Sequence, residues 1–146
     1  MKKEKTCKIV FSDIDGTLLT SDGQITEGTK EMILNLEKEG IPFILTSARS
    51  PEGVRVIKRM LGNHAPIIAF CGGLILDNDG NEIYSKMIPL KRALELKAML
   101  DKDFPAVACN TFGGEKWIVD DRDDWREQRE EKIVGFPAEI GSIKDT

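Results

Sequence analysis

Cysteine, histidine and aromatic residues are scarce in this 146-residue chain, and long apolar runs are absent. The three cysteines, Cys7, Cys71 and Cys109, lie far apart without a C-x-x-C pair, which argues against a disulfide framework and against a zinc site. The single histidine, His64, follows a predicted helix in a turn-like segment and is interpreted as a solvated loop residue. The longest apolar stretch, 65–76, contains proline and glycine and is shorter than the ~20 residues that span a bilayer. The sequence therefore predicts no membrane span.

Positive charge is not in excess either. The net charge of −4 and the pI of about 5.1 argue against a general nucleic-acid binder, which needs a concentrated basic surface. An apolar content of 40% with 32% charged residues is typical of a soluble globular protein of about one domain. A strand-like segment follows the basic N-terminus where a secretory signal would have its apolar core. We therefore expect a cytoplasmic protein.

Apolar runs alternate with helical patterns over the first 70 residues. Strands are predicted at 7–12, 41–45 and 66–70, and helices at 26–39 and 51–61. Thr26 and Ser50 are typical N-caps, and Gly62 is a typical C-terminal stop. Nearly continuous apolar strands joined by helices predict a parallel α/β sheet with right-handed crossovers.

The pattern changes after the third strand. A β-hairpin is predicted because apolar runs at 74–76 and 82–84 flank an Asp-Gly turn. The later predicted elements are a helix at 89–102, strands at 106–111 and 116–119 joined by a turn at Gly113-Gly114, and a helix at 120–132. The last helix carries a dense mixture of charges, which indicates a solvated face, with Trp125 as its apolar anchor. No element is predicted for 135–146.

Two carboxylates follow the first predicted strand. Asp13 and Asp15 stand two residues apart at its carboxyl end, where open α/β sheets bind ligands. Gly16 allows a sharp turn, so that the following backbone amides can point toward an anion. Two acidic groups this close are electrostatically costly unless a cation shares the site, and Mg²⁺ is the hard cation that oxygen ligands favour. The second strand ends in Ser47 and Arg49, and this makes the pattern more specific than an Asp turn alone.

The chain resembles the haloacid dehalogenase superfamily of aspartate-nucleophile phosphatases, and within it the Cof-type sugar-phosphate phosphatases. The sequence DIDGTL at 13–18 matches the first family motif. Ser47 falls at the second-motif Ser/Thr position, and Arg49 matches the arginine two residues later. The segment FCGG at 70–73 aligns with one that usually reads Asn-Gly-Ala, so Cys71 replaces an asparagine.

The resemblance implies roles for each of these residues. Asp13 would attack phosphorus and form an aspartyl-phosphate, and Asp15 would protonate the leaving oxygen and then activate water. Mg²⁺ would be held by the Asp13 carboxylate and the Asp15 backbone carbonyl. Ser47 would donate a hydrogen bond to the phosphoryl group, helped by backbone amides around Gly16. Arg49 would contact phosphate or orient the site, or it is a surface charge beside a helix.

The resemblance covers nearly all of this chain but only about the first half of a typical relative. It implies a Rossmann-like core at 1–83 and part of an α/β cap at 84–146. The third-motif lysine and the fourth-motif acidic cluster of the family have no counterpart in the chain. We therefore expect a fragment of a longer enzyme, or a short protein stabilised by self-association. The first strand, central in the family, would become an exposed apolar edge.

Two functions from different classes remain open at this point. The first is a Mg²⁺-dependent phosphatase of small phosphorylated metabolites, with sugar phosphates as the substrates that the resemblance implies. The second is a phosphate- or metal-binding module without turnover, because the missing lysine and acids would otherwise restrain the nucleophile and complete the metal shell. Neither function involves nucleic acid or a membrane.

Overall fold

The computed structural model describes residues 7–113 and 115–145. The chain divides into two compact units, with the division between Ser85 and Lys86. The first unit contains a five-stranded sheet and the second a three-stranded sheet. Within the described residues, no helix is both long enough and apolar enough to cross a bilayer.

The first unit alternates strands and helices. Its elements are β1 Val10–Asp13, α1 Glu27–Lys38, β2 Phe43–Thr46, α2 Pro51–Leu61, β3 Ile67–Ala69, β4 Leu74–Leu76 and β5 Glu82–Ser85. The spatial order of the strands follows their order in the chain. Strands β1, β2 and β3 run parallel, whereas β4 and β5 are antiparallel to their neighbours. The predicted parallel α/β sheet and the predicted hairpin are both confirmed.

The strands begin later than the sequence predicts, and proline explains the difference. The ladder between β1 and β2 starts where Val10 pairs with Phe43, and the Val10 N–H donates to the Pro42 carbonyl at 2.9 Å. Pro42 has no N–H to return a hydrogen bond, so the pairing does not extend further back. In the same way, β3 begins at Ile67, directly after Pro66.

The helices of the first unit begin and end at the predicted caps. The Thr26 hydroxyl accepts a hydrogen bond from the Thr29 amide at 3.2 Å, and the Ser50 hydroxyl accepts one from the Gly53 amide at 3.3 Å. Gly62 ends α2 with a φ of 73°, a left-handed conformation that glycine adopts without steric cost. Local capping chemistry therefore sets these boundaries.

The core of the first unit lies between the sheet and its two helices. Its most buried side chains come from each of these elements and from the turn after β1: Ile14, Ile33, Leu45, Val54, Leu61 and Ala69. Strand β1 lies at the edge of the sheet, and its Phe11 side chain is 57% exposed. The expectation that the first strand forms an exposed apolar edge in this chain is thus confirmed.

The second unit pairs three short strands with two helices. Its elements are α3 Leu90–Asp103, β6 Thr111–Gly113, β7 Lys116–Val119, α4 Trp125–Val134 and β8 Glu139–Ile140. Strand β7 is central, antiparallel to β6 and parallel to β8. The two-residue strand β8 was not predicted. Of the predicted Gly113-Gly114 turn, Gly113 belongs to β6 and Gly114 lies outside the described residues.

The prediction of a strand from 106 to 111 is wrong except for its last residue. Residues 106–110 form a loop whose polar groups bind the side chains of other elements. The Ala106 carbonyl accepts a hydrogen bond from Arg126 at 2.6 Å, and the Asn110 side chain binds Trp117. Tertiary hydrogen bonds therefore replace the ladder that the apolar pattern suggests.

The last helix begins five residues later than predicted, because Asp124 caps it. The Asp124 carboxylate accepts a hydrogen bond from the Arg126 backbone amide at 2.8 Å. Hydrogen bonds from the Arg126 guanidinium and amide lower the pKa of Asp124 to about 2. Trp125 therefore occupies the first helical position and is 68% exposed, so its predicted role as an apolar anchor is wrong. The residues of α4 that are buried are Glu127 and Val134.

Glu127 is a buried acid at the end of a hydrogen-bonded chain. The Trp117 indole N–H donates to the Asn110 amide oxygen at 2.5 Å, and the Asn110 amide N–H donates to Glu127 Oε1 at 3.1 Å. Glu127 is only 2% exposed, and among the described residues its Oε2 atom has no hydrogen-bond partner. Burial is the main cause that raises the pKa of this carboxyl group, because it disfavours the charged form.

We expect Glu127→Gln to raise the free energy of unfolding at pH 7 by about 1 kcal/mol. This is the scale of the cost of burying a polar group without a hydrogen-bond partner. The raised pKa means that Glu127 favours the folded state at acid pH and loses this contribution as the pH rises toward neutrality. The gain should therefore be larger at pH 7 than at pH 4 in urea unfolding. The exposed Glu139→Gln is the matched control, and an equal gain at both pH values would contradict the interpretation.

Candidate active site

The two predicted acids flank a buried isoleucine at the carboxyl end of β1. Asp13 is the last residue of the strand, and Ile14–Leu18 form the turn that follows. Ile14 is fully buried in the core, whereas Asp13 and Asp15 are exposed. Ile14 therefore anchors the turn and leaves both carboxylates at the edge of the sheet.

Gly16 reverses the chain immediately after the second acid. Its φ is 77°, and an added Cβ would meet no atom within 4 Å, so backbone conformation and not crowding favours glycine here. The Thr17 hydroxyl, on the next residue of the turn, lies 3.4 Å from Asp13 Oδ2. Thr17 is a contact of the candidate nucleophile that sequence reasoning did not assign, although it belongs to the matched motif.

Ser47 is brought to this edge by the sheet register. Asp13 pairs with Thr46, the last residue of β2, so Ser47 follows directly beside the acidic turn. The Ser47 amide donates to the Ile68 carbonyl at 3.0 Å, and its hydroxyl accepts from the Arg49 amide at 3.1 Å. Ser47 is 5% exposed, and no described residue accepts the proton of its hydroxyl. This proton is therefore available to a bound acceptor.

Arg49 and Asp15 form a two-pronged ion pair across the site. Arg49 Nε donates to Asp15 Oδ2 at 2.9 Å, and Nη2 donates to Asp15 Oδ1 at 2.7 Å. The Arg49 side chain is 9% exposed and that of Asp15 is 57% exposed. This parallel pair fixes both the position and the plane of the carboxylate. Arg49 is therefore not a solvated surface charge. Its pairing with Asp15 joins residues that are 34 positions apart in the chain.

Backbone amides of the turn after β3 bind the loop that carries Ser47 and Arg49. The Cys71 amide donates to the Ser47 carbonyl at 2.9 Å, and the Phe70 amide donates to the Arg49 carbonyl at 3.0 Å. Phe70 and Cys71 both have left-handed backbone conformations, with φ of 50° and 53°. Sequence reasoning assigned no function to these backbone groups, and the double glycine that follows them is the signal that marks the turn.

The oxygen atoms at this edge suit a hard cation. The only hydrogen bond to the Asp13 carboxylate within the described chain comes from Thr17, so this carboxylate can bind a metal. The Asp15 carboxylate is occupied by Arg49, which leaves its backbone carbonyl as the oxygen it can offer. Within the described residues, no group of three or more His, Cys, Asp and Glu side chains could hold a metal. These few oxygens fit Mg²⁺, which keeps several waters and takes one or two carboxylates plus phosphate.

Comparison with known proteins links the chain to phosphatases. A Haemophilus influenzae protein named "Putative phosphatase" is 36% identical over 124 residues, which cover 79% of this chain and 47% of that protein. A phosphoglycolate phosphatase of Thermoplasma volcanium is 36% identical over 74 residues, or 51% of this chain and 33% of that protein. The chain thus spans at most about half the length of these relatives.

The fold is shared with solved structures. A haloacid dehalogenase-like hydrolase from Bacteroides thetaiotaomicron superimposes with a TM-score of 0.84 at 20% identity, over 94% of this chain and 52% of that chain. At this identity the likeness concerns the fold alone. The haloacid dehalogenase-like hydrolase family matches residues 10–144, and these include both acids, Ser47 and Arg49. This chain belongs to the haloacid dehalogenase-like hydrolase family.

Proposed function

We propose that the protein hydrolyses phosphomonoesters of small metabolites, sugar phosphates foremost, through an aspartyl-phosphate and with Mg²⁺. The observation that carries this proposal is the Arg49–Asp15 ion pair beside an Asp13 carboxylate that no cation of the described chain binds. One acid is thereby held in a defined orientation, and the other is left open to react. Two neighbouring carboxylates with different surroundings are what a nucleophile and an acid–base pair require.

Asp13 is the proposed nucleophile. Its exposed carboxylate attacks phosphorus, the bond to the leaving oxygen breaks, and the acyl phosphate that forms is later hydrolysed by water. Asp15 is the proposed acid and base, which gives a proton to the leaving oxygen and then takes one from the attacking water. Arg49 positions the Asp15 carboxylate, and one of its two hydrogen bonds opens when that oxygen carries the proton.

Ser47 and nearby amides are proposed to hold the phosphoryl oxygens. The Ser47 hydroxyl accepts from the Arg49 amide, which orients its proton toward another acceptor. The amides of the turn around Gly16 add further donors at the same edge. When bound, Mg²⁺ would neutralise charge on the phosphoryl oxygens, with the Asp13 carboxylate and the Asp15 backbone carbonyl as its protein ligands.

The decisive experiment measures hydrolysis of p-nitrophenyl phosphate by the purified chain, with increasing Mg²⁺ and with EDTA as the control. We expect multiple turnovers that require Mg²⁺, and a faster reaction with at least one sugar phosphate. Turnover that EDTA does not reduce would contradict the metal requirement.

The cytoplasmic location and self-association through the β1 edge remain predictions.

A second candidate is a module that binds phosphate or metal without turnover. The observation that favours it is that the described residues hold no larger cluster of metal ligands. Calorimetric titration with Mg²⁺ and with orthovanadate, run beside the hydrolysis assay, separates the two functions. Binding without turnover would support the module, and turnover by the pure chain would exclude it.

We expect Arg49→Lys to lower kcat by about 10²-fold, a typical cost of misplacing a reacting group. Lysine keeps the charge but cannot donate two parallel hydrogen bonds to the Asp15 carboxylate. The matched control is Arg92→Lys, because Arg92 forms an exposed ion pair with Glu95 within α3 and has no proposed role. Equal rates for the two variants would show that the paired geometry is not needed.

A further inference from the structure

A second concave site lies in the first unit, at the opposite end of the sheet from the acids. Its cavity has a volume of about 300 Å³. Ile67, the first residue of β3, pairs with Leu76, the last residue of β4, and both line this cavity. Asp13, by contrast, is the last residue of the parallel strand β1. The cavity is therefore separate from the candidate active site.

Three basic side chains of α2 line the cavity. Arg55, Lys58 and Arg59 are spaced three and four residues apart and so share one face of the helix. Arg55 also reaches the β4–β5 turn, because its Nη2 lies 3.7 Å from the position of a Cβ added at Gly80. His64 is a further lining residue. The three cationic side chains of α2 thus face a space that the loop after α2 and the β4–β5 turn also border.

Lys58 has no carboxylate partner in this arrangement. It is half-buried, and no acidic oxygen of the described residues lies within 4 Å of its ammonium group. Burial, followed by the nearby charge of Arg55, lowers the pKa of Lys58, whereas the charges of Glu37 and Asp77 act in the opposite direction. A partly buried ammonium without a partner carries a desolvation cost that a bound anion would offset.

The nearby acids are engaged elsewhere. The Asp77 carboxylate lines the cavity but accepts hydrogen bonds from the Asp79 amide at 2.9 Å and from the Asn81 amide at 2.8 Å. Glu52 is bound by Arg59 at 2.8 Å and lies 3.6 Å from Arg55. Glu37, the other acid near Lys58, accepts a hydrogen bond from the His64 amide at 2.9 Å. These acids bind backbone amides or the arginines and leave Lys58 without an ion pair.

We propose that this cavity binds a phosphate group, with Lys58 as its central ligand and Arg55 and Arg59 beside it. A phosphate group carries more negative charge than a carboxylate and offers three oxygens to separate donors, so it matches several cations better. The cavity is larger than a single phosphate ion and leaves room for an organic remainder. The proposal uses no residue of the candidate active site and does not depend on the proposed function.

The test is an NMR titration of the ¹⁵N-labelled chain with inorganic phosphate and, separately, with glucose 6-phosphate. EDTA removes divalent metal, and sodium chloride keeps the ionic strength constant. We expect saturable shifts of the amides of Lys58, Gly62, His64 and Gly80. The probe with the lower Kd identifies the ligand as free phosphate or as a phosphate ester.

Variants of the central lysine make the test specific. Lys58→Met should weaken binding by about tenfold, the effect of losing one charged hydrogen bond, whereas Lys58→Arg should retain it. Lys38→Met, at the exposed end of α1, is the matched control and should bind like the unaltered chain. Shifts that do not saturate, shifts confined to Gly16 and Ser47, or equal losses in the Lys58→Met and Lys38→Met variants would overturn the proposal.

Discussion

Replacing Asp13 by asparagine is expected to lower kcat by ~10⁴-fold or more, the scale seen when a catalytic nucleophile is removed. Asparagine has nearly the same shape, and Asp13 is exposed, so the fold should be unchanged. What is lost is the anionic oxygen that attacks phosphorus in the proposed reaction. The measurement is steady-state hydrolysis of p-nitrophenyl phosphate at saturating Mg²⁺.

The control for this variant is Asp79→Asn, which makes the same chemical change on the exposed β4–β5 turn. It should hydrolyse the substrate at the rate of the unaltered chain. Thermal unfolding of both variants should coincide with that of the unaltered protein, which separates chemistry from folding. Turnover by Asp13→Asn that still requires Mg²⁺ would exclude covalent catalysis by this residue, whatever the role of Asp15.

The second prediction with a large expected effect concerns the free energy of unfolding. The residue to be changed, Ile14, lies between the two acids in the chain. Ile14 is fully buried in the core of the first unit. We expect Ile14→Ala to reduce the free energy of unfolding by about 3 kcal/mol, because truncation removes buried apolar surface and leaves a cavity. Urea unfolding followed by circular dichroism measures the change.

Ile83→Ala is the matched control, since the same atoms are removed from a side chain that is 60% exposed. Its effect should remain below about 1 kcal/mol, as is usual for surface positions. Similar values for the two variants would mean that the turn after β1 is not anchored by the core. A large loss at Ile14 alone would connect the stability of the core to the placement of both carboxylates.

Local chemistry explains which elements could be predicted. The caps at Thr26 and Ser50 and the stop at Gly62 depend on residues within one helical turn, and the structure confirms them. The loop at 106–110 was predicted wrongly because the side chains of Arg126 and Trp117 bind it. The start of α4 was predicted wrongly because the local cap at Asp124 was not recognised. Strand β8 has two residues, too few for any periodic pattern.

The same distinction between local and tertiary contacts applies to the candidate active site. The spacing of Asp13 and Asp15 and the small polar end of the second strand are visible in the sequence, since each lies within a few residues. The sequence left open whether Arg49 contacts phosphate, orients the site or is a surface charge, and it did not predict the pairing with Asp15. This pairing depends on the register that sets Asp13 beside Thr46, and on amides of Phe70 and Cys71 that hold the intervening loop.

The sequence by itself therefore determined the alternation of strands and helices, the capped helix ends and the identity of the acidic motif, because these follow from short-range sterics and hydrogen bonding. Only the tertiary structure decided that Arg49 orients toward Asp15, that Trp125 is exposed, and that the basic face of α2 borders a cavity. Each of these depends on the register of neighbouring strands or on the packing of elements distant in the chain, and no local pattern encodes them.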